Sequence, residues 1–160
     1  MHDMIIRQAA AGDADEVLRL QKEAYSSEAE LYQDWSLVVL HETTDKFLEA
    51  LETHLVLVAM IGGHIVGSVR GRLDGDVCRI GRLFAAPGHQ GQGIGTRLIS
   101  AIENRFSTAQ RFSLFTGYRS HGNIKLYQRL GYEITGRDRM TDKIEMVIME
   151  KPVHKADAGR

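Results

Sequence analysis

The sequence predicts a mixed α/β domain: one mostly antiparallel sheet of six to seven strands flanked by about four helices. Three observations carry that prediction. Gly62–Gly63 and Asp74–Gly75 each separate apolar runs of strand length, the signature of two tight hairpins in succession. Ile94, Leu98, Ile102 and Phe106 recur at helical spacing. After them, strand-like and helix-like stretches alternate to the end of the pattern near Glu150.

Each element has a local reason. "MIIRQAA" (Met4–Ala10) is a short apolar strand. "GDADEVLRLQKEAY" is a helix, with Asp13 as its cap, Glu16 three residues on, and Val17, Leu20 and Ala24 on one face. From Ser26 to His41 the period blurs, and a loop with room for one short helix is expected there. "TTDKFLEALETH" is a second helix, capped by Thr44, with Phe47, Leu48 and Leu51 as its buried stripe. "LVLVAMI", "HIVGSVRGRL" and "DVCRIGRLFAA" form the meander joined by the two hairpins. The third helix carries the Ile94–Phe106 stripe, and "RFSLFTG" is the next strand. "SHGNIKLYQRL" is the fourth helix, with Ser120 as cap and Gly131 as left-handed stop. "YEITGR" and "KIEMVIME" close as strands.

The bulk properties bound the function. A chain of 160 residues with formal charge −1 suits one domain and gives no reason to expect a nucleic-acid or membrane partner. We read residues 1–152 as that domain and 153–160 as a polar, frayed tail. Cys78 is the single cysteine, so an internal disulfide is impossible and a cytoplasmic setting fits. A lone strand cysteine reads as an inert core residue. The seven histidines lack ligand spacing, so no metal is expected.

The stretch from Gln90 to Gly95, "QGQGIG", joins a strand to a helix. A helix start offers unpartnered N–H groups and the positive end of the dipole, which together suit a phosphate. Glycines let those amides face the anion with no Cβ in the way. The dinucleotide fingerprint fails on spacing, because the pattern here is G-x-G-x-G. The triphosphate loop fails because Ile94 stands where a lysine is needed.

"RLFAAPGHQGQGIGTRLI" resembles the acyl-coenzyme A loop of the GNAT-type N-acetyltransferase superfamily, [QR]-x-x-G-x-[GA] after a strand and a proline. Gln90, Gly93 and Gly95 fill the pattern, and Pro87 has the usual place. "SHGNIKLYQRLGYEI" is similar to the family's second conserved block through Asn123, Leu126, Tyr127, Gly131 and Tyr132. The resemblance covers Ile5 to about Met149 and implies a GNAT-like sheet whose strands splay at the coenzyme site. It implies acetyl-CoA as co-substrate, held by the amides of Gln90, Gly91, Gln92, Gly93, Ile94, Gly95 and Thr96. The strand at Leu83, Phe84 and Ala85 would pair with the pantetheine arm and supply the oxyanion N–H, and Asn123 either binds that arm or caps its helix. It also implies pairing of two copies through edge strands or the last strand.

Acetyl transfer needs a neutral amine, although an alkyl amine has a pKa of ~10.4 in water, and a proton for the departing thiolate. Tyr127 is the candidate acid, and the resemblance implies that role; packing beside Leu126 and Leu130 is compatible with it. Many family members carry a glutamate on the strand before the loop, where this chain has Arg79 and Arg82. The candidate bases are therefore Glu23 and Glu28 in the first helical region, with relayed water as the alternative. Acids dominate from Gln21 to His54 and arginines from Val66 to Arg111. That division suits a cationic amine and a polyanionic coenzyme, but solvated helix faces, charged in any soluble protein, are the simpler explanation. Tyr32, Trp35 and Leu37 could line an acceptor pocket or merely fill core. The expected partner is a small-molecule or peptide amine; a catalytically weak acyl-CoA-binding module is the alternative.

Overall fold

The computed structural model describes residues 3–153. Strand β1 (Ile5–Gln8) leads into helix α1 (Ala14–Tyr32) and helix α2 (Thr44–Thr53), with a 3-10 turn at Val38–His41 between them. The meander β2 (Leu55–Ile61), β3 (His64–Asp74) and β4 (Val77–Ala85) follows. Helix α3 (Ile94–Arg105), β5 (Arg111–Gly117), α4 (His121–Arg129), β6 (Glu133–Arg139) and β7 (Glu145–Pro152) complete the chain. One seven-stranded sheet runs β1-β2-β3-β4-β5-β7-β6, and only β4 and β5 pair in parallel. The hairpin glycines take the positive φ the turns require, +58° at Gly62 and +64° at Gly75.

Strand β2 explains the two layers. Leu57 and Ala59 face α3, packed with Leu98, Ile99 and Ile102; Val56 and Val58 face α1 and α2, packed with Val17, Leu20 and Phe47. Both faces are buried, so the strand reads as an unbroken apolar run rather than an alternation. Helix α3 lies close on the sheet because Gly67 and Gly71 make room. A Cβ at Gly67 would stand 2.7 Å from the Phe84 carbonyl oxygen, and one at Gly71 would stand 2.9 Å from Ile102.

Several local expectations change. The Asp13 side chain does not cap α1; its carboxylate accepts the Ala10 N–H at 2.8 Å and is forked by Arg7 at 2.8 and 2.9 Å. The Arg7 hydrogen bonds hold that carboxyl below its usual range. Glu16 reaches the Ile65 N–H instead of its own helix start. Thr43, not Thr44, caps α2, accepting from the Lys46 N–H. Ser120 occupies the cap position of α4, but its hydroxyl donates to Glu28. Gly131 does stop α4, at φ +98°. Helix α1 continues through the stretch expected as loop and ends at Tyr32, where Gln33 takes φ +53°. Strand β7 is flanked by β5 and β6, so the edges of the sheet are β1 and β6. Val153 docks through its N–H to the Gln110 carbonyl; the rest of the expected tail lies outside the described residues.

Candidate active site

The parallel ladder between β4 and β5 is short. Val77, Cys78 and Arg79 pair with Arg111, Phe112 and Ser113, and the pairing ends there. Beyond it the strands part, and two cavities open at the gap. The first, about 520 Å³, lies against Leu83–Ala85, the Gln90–Thr96 loop and α4. The second, about 410 Å³, lies against Ile80–Leu83, Leu114–Gly117 and the segments that follow α1 and β6. Tyr25, Glu28, Leu83, Asn123 and Tyr127 line both, so the cavities meet at these five residues.

The loop is built to expose amides. Gly91 and Gly93 sit at φ +77° and +79°, and a Cβ at either would meet nothing within 4 Å except the open cavity. Gly93 ends the loop in the left-handed region and opens α3 without a side-chain cap. Among the described residues, no acceptor takes the N–H groups of Gln90–Thr96. Free amides, a helix start and a cradle that a side chain would fill are the requirements of a diphosphate site.

Strand β4 bulges beside it. Phe84 pairs with Ser68 and Gly81 with Arg70, so two residues of β4, Arg82 and Leu83, oppose one of β3. Arg82 takes φ +54°, a conformation that costs a non-glycine residue ~1–3 kcal/mol. Its guanidinium is held at 3.5 Å from Glu42, which also pairs with Arg70 at 2.8 Å and accepts from Gln21 at 2.8 Å. Arg70 Nη2 is otherwise an orphan: the contact is an ion pair without hydrogen-bond alignment. The Ala86 N–H donates to Val66 in the ladder at 2.7 Å. Strand alternation therefore turns the Ala85 N–H away from β3, toward the gap. The Tyr25 hydroxyl donates to the Leu83 carbonyl at 2.7 Å, and burial raises that phenol's pKa to about 12.

Every coenzyme-side residue expected from sequence lines the first cavity except Gln92, whose side chain turns to His89 at 3.4 Å. Asn123 reaches Thr116 on β5 at 3.4 Å rather than capping α4. Tyr127 is buried, and its hydroxyl has no hydrogen-bond partner among the described residues. Desolvation first, then Tyr25 and Glu28, push its pKa well above the ordinary phenol range. Of the candidate bases, Glu28 is at the junction, bonded to the Ser120 hydroxyl. Glu23 is on the solvent face of α1, paired with Arg19 at 3.3 Å, and lines neither cavity. Tyr32 and Leu37 line the second cavity, whereas Trp35 is exposed outside it. Cys78 is fully buried, and burial lifts its thiol to about 12, the state of an inert core residue. The arginines of the basic stretch are mostly spent on partners: Arg70 and Arg82 on Glu42, Arg79 on Asp74, Arg111 on Glu150. Among the described residues no three His, Cys, Asp or Glu converge as a metal site, and no helix is long and apolar enough to cross a membrane.

Comparison with known proteins decides the family. The description "Acetyltransferase (GNAT) family" matches residues 14–132. The chain belongs to the GNAT acetyltransferase family. A Sodalis glossinidius acetyltransferase is 32% identical over 82 residues, which are 50% of this chain and 58% of that protein. The Bacillus subtilis protein YyaT is 28% identical over 93 residues, 56% of this chain and 60% of its own length. The chain thus spans less than two thirds of the curated relatives it matches. Among solved structures, the PaiA N-acetyltransferase of Thermoplasma acidophilum, in complex with coenzyme A, shares the fold at a TM-score of 0.79. Its identity is 15%, with 94% of this chain and 99% of that chain covered. The GNAT match ends at Tyr132, so the second cavity's wall from Met140, Ile144 and Met146 lies beyond it.

Sequence reasoning missed Tyr25 as a site residue, although the signal was there. Tyr25, Glu28, Ala29 and Tyr32 continue the helical period past the point where the helix was expected to end.

Proposed function

We propose that the protein transfers an acetyl group from acetyl-CoA to a primary amine by direct attack. The observation that carries this reading is the amide cradle at Gly91–Thr96, which opens onto the gap between β4 and β5 beside Tyr127. The coenzyme A complex of the Thermoplasma relative supports the same ligand. When bound, acetyl-CoA brings an acetyl group already activated as a thioester. The loop amides hold its diphosphate. The Ala85 N–H faces the gap and would meet the charge that develops on the acyl oxygen. Glu28 supplies the carboxylate that β4 lacks and would take one proton from the bound ammonium. The neutral amine then attacks the acyl carbon, the N–C bond forms, the C–S bond breaks, and the nitrogen sheds its second proton, which returns through water to the phenol that protonates the sulfur. Tyr127 keeps its proton at neutral pH and delivers it to the sulfur. The second cavity receives the amine, and the cavity junction is where amine and acetyl group meet.

The test pairs binding with turnover. Calorimetry should register saturable acetyl-CoA binding, and thiol release should require an added amine. Binding without release for every amine would leave the acyl-CoA-binding module instead; no heat on titration would remove both readings.

A further inference from the structure

The second cavity says more about the amine than that it is one. Its wall is apolar, with Leu37, Val39, Ile144 and Met146 buried or half-buried and Val38 and Met140 exposed at 73% and 44%. Two charged side chains line it, Glu28 and Arg82. Arg82 shares Glu42 with the closer Arg70, so part of its charge is left to the cavity, and among the described residues Glu28 is the one carboxylate that lines it. Glu28 also lines the first cavity and so stands at the inner junction, away from much of the apolar wall. A volume of about 410 Å³ falls in the range of small-molecule pockets, which bury most of an apolar ligand around a few fixed polar groups.

We propose that the acceptor is a small, singly charged amine with an apolar alkyl or arylalkyl body. Its ammonium rests at Glu28 and its body lies along Leu37, Val39, Ile144 and Met146. This rests on the acetyl-transfer reading for its chemistry but not for its binding. A polyamine fits poorly, because its second ammonium would be desolvated against an apolar wall with no second acid to meet it.

The experiment compares butylamine, pentylamine, hexylamine and 1,6-diaminohexane as acceptors. The four carry the same reacting group, and the last two differ in the second charge. Each added methylene buried should lower KM about threefold to fourfold, and hexylamine should exceed the diamine at least tenfold in kcat/KM. Val38→Asp, at an exposed position, places a second acid on the wall and should narrow or reverse that preference. A diamine used as well as hexylamine, a flat chain-length series, or a leucine-starting tripeptide preferred over hexylamine would overturn the proposal. Calorimetry with hexylamine and the diamine reads the cavity without turnover. Tight hexylamine with no thiol release would fail acetyl transfer and keep this inference; release with polar amines alone would do the opposite.

Discussion

The Tyr127 hydroxyl stands where the two cavities meet; among the described residues no protein group hydrogen-bonds to it, and its oxygen opens to the cavity rather than being sealed in the core. That position is explained if its partner is the departing sulfur. Burial, which raises its pKa, keeps the phenol protonated across the physiological range, so it holds a proton to give. The same desolvation raises the basicity of a thiolate leaving into the site, which keeps the transfer feasible. Tyr127→Phe should therefore retain the fold, with a Tm within a few degrees of wild type, because the ring packs as before and no hydrogen bond is lost. Turnover should fall by about 10²-fold or more, the ordinary worth of a positioned general acid, with acetyl-CoA affinity little changed. Thiol-release kinetics and calorimetry read the two quantities separately, and undiminished turnover would reduce Tyr127 to packing. Glu28 is a different kind of residue. Its Oε2 accepts from the Ser120 hydroxyl before any substrate arrives, which fixes the carboxylate at the junction.

At the scale of elements, the Gln90–Thr96 loop tests whether glycine serves the backbone or the ligand. Gly93 and Gly63 have nearly the same φ, +79° and +81°, and neither has an atom within 4 Å of an added Cβ. Gly93→Ala and Gly63→Ala should each lose ~1–2 kcal/mol from left-handed backbone strain. Only Gly93→Ala should weaken acetyl-CoA binding, since its Cβ alone enters the cradle. Urea unfolding and calorimetry of the two variants make the comparison, and equal affinity would remove the ligand role of the loop. This loop was legible in the sequence because its signal is local: glycine spacing, a strand before and a helical stripe after. The hairpin glycines and the α3 stripe were legible for the same reason. The caps were read less well, because Asp13 and Ser120 found better partners in Arg7 and Glu28, residues brought in by the fold. The second cavity was legible only at Tyr32 and Leu37. Leu37, Leu83, Phe115 and Ile144 belong to four segments that no periodicity joins, and they share a wall only once β4 and β5 part.

At the scale of the molecule, Glu42 is the point where four segments are tied. Its carboxylate takes Gln21 from α1, Arg70 from β3 and Arg82 from the β4 bulge, and Gln21 also donates to the Val39 carbonyl of the 3-10 turn. The side chains of Glu42 and Arg70 are 4% and 8% exposed, so neither charge can turn to water if the other is removed. Burial already lowers the Arg70 pKa, the mark of a cation held against its desolvation by this partner. Glu42→Leu should therefore destabilise the protein by ~3–5 kcal/mol, the cost of leaving a buried charge uncompensated. Glu42→Leu combined with Arg70→Met should recover much of that loss, because the second change removes the stranded cation and the Met side chain can pack on the Phe47 ring that the Arg70 guanidinium now covers at 5.5 Å. The double variant separates stability from site geometry. Arg82 would still lack the contact that holds its φ of +54°, and the bulge that aims Leu83 and Ala85 into the gap would relax. Turnover should stay low in the double variant while urea unfolding shows stability regained. If turnover returned together with stability, the bulge would hold its shape without Glu42, and the network would serve the fold alone.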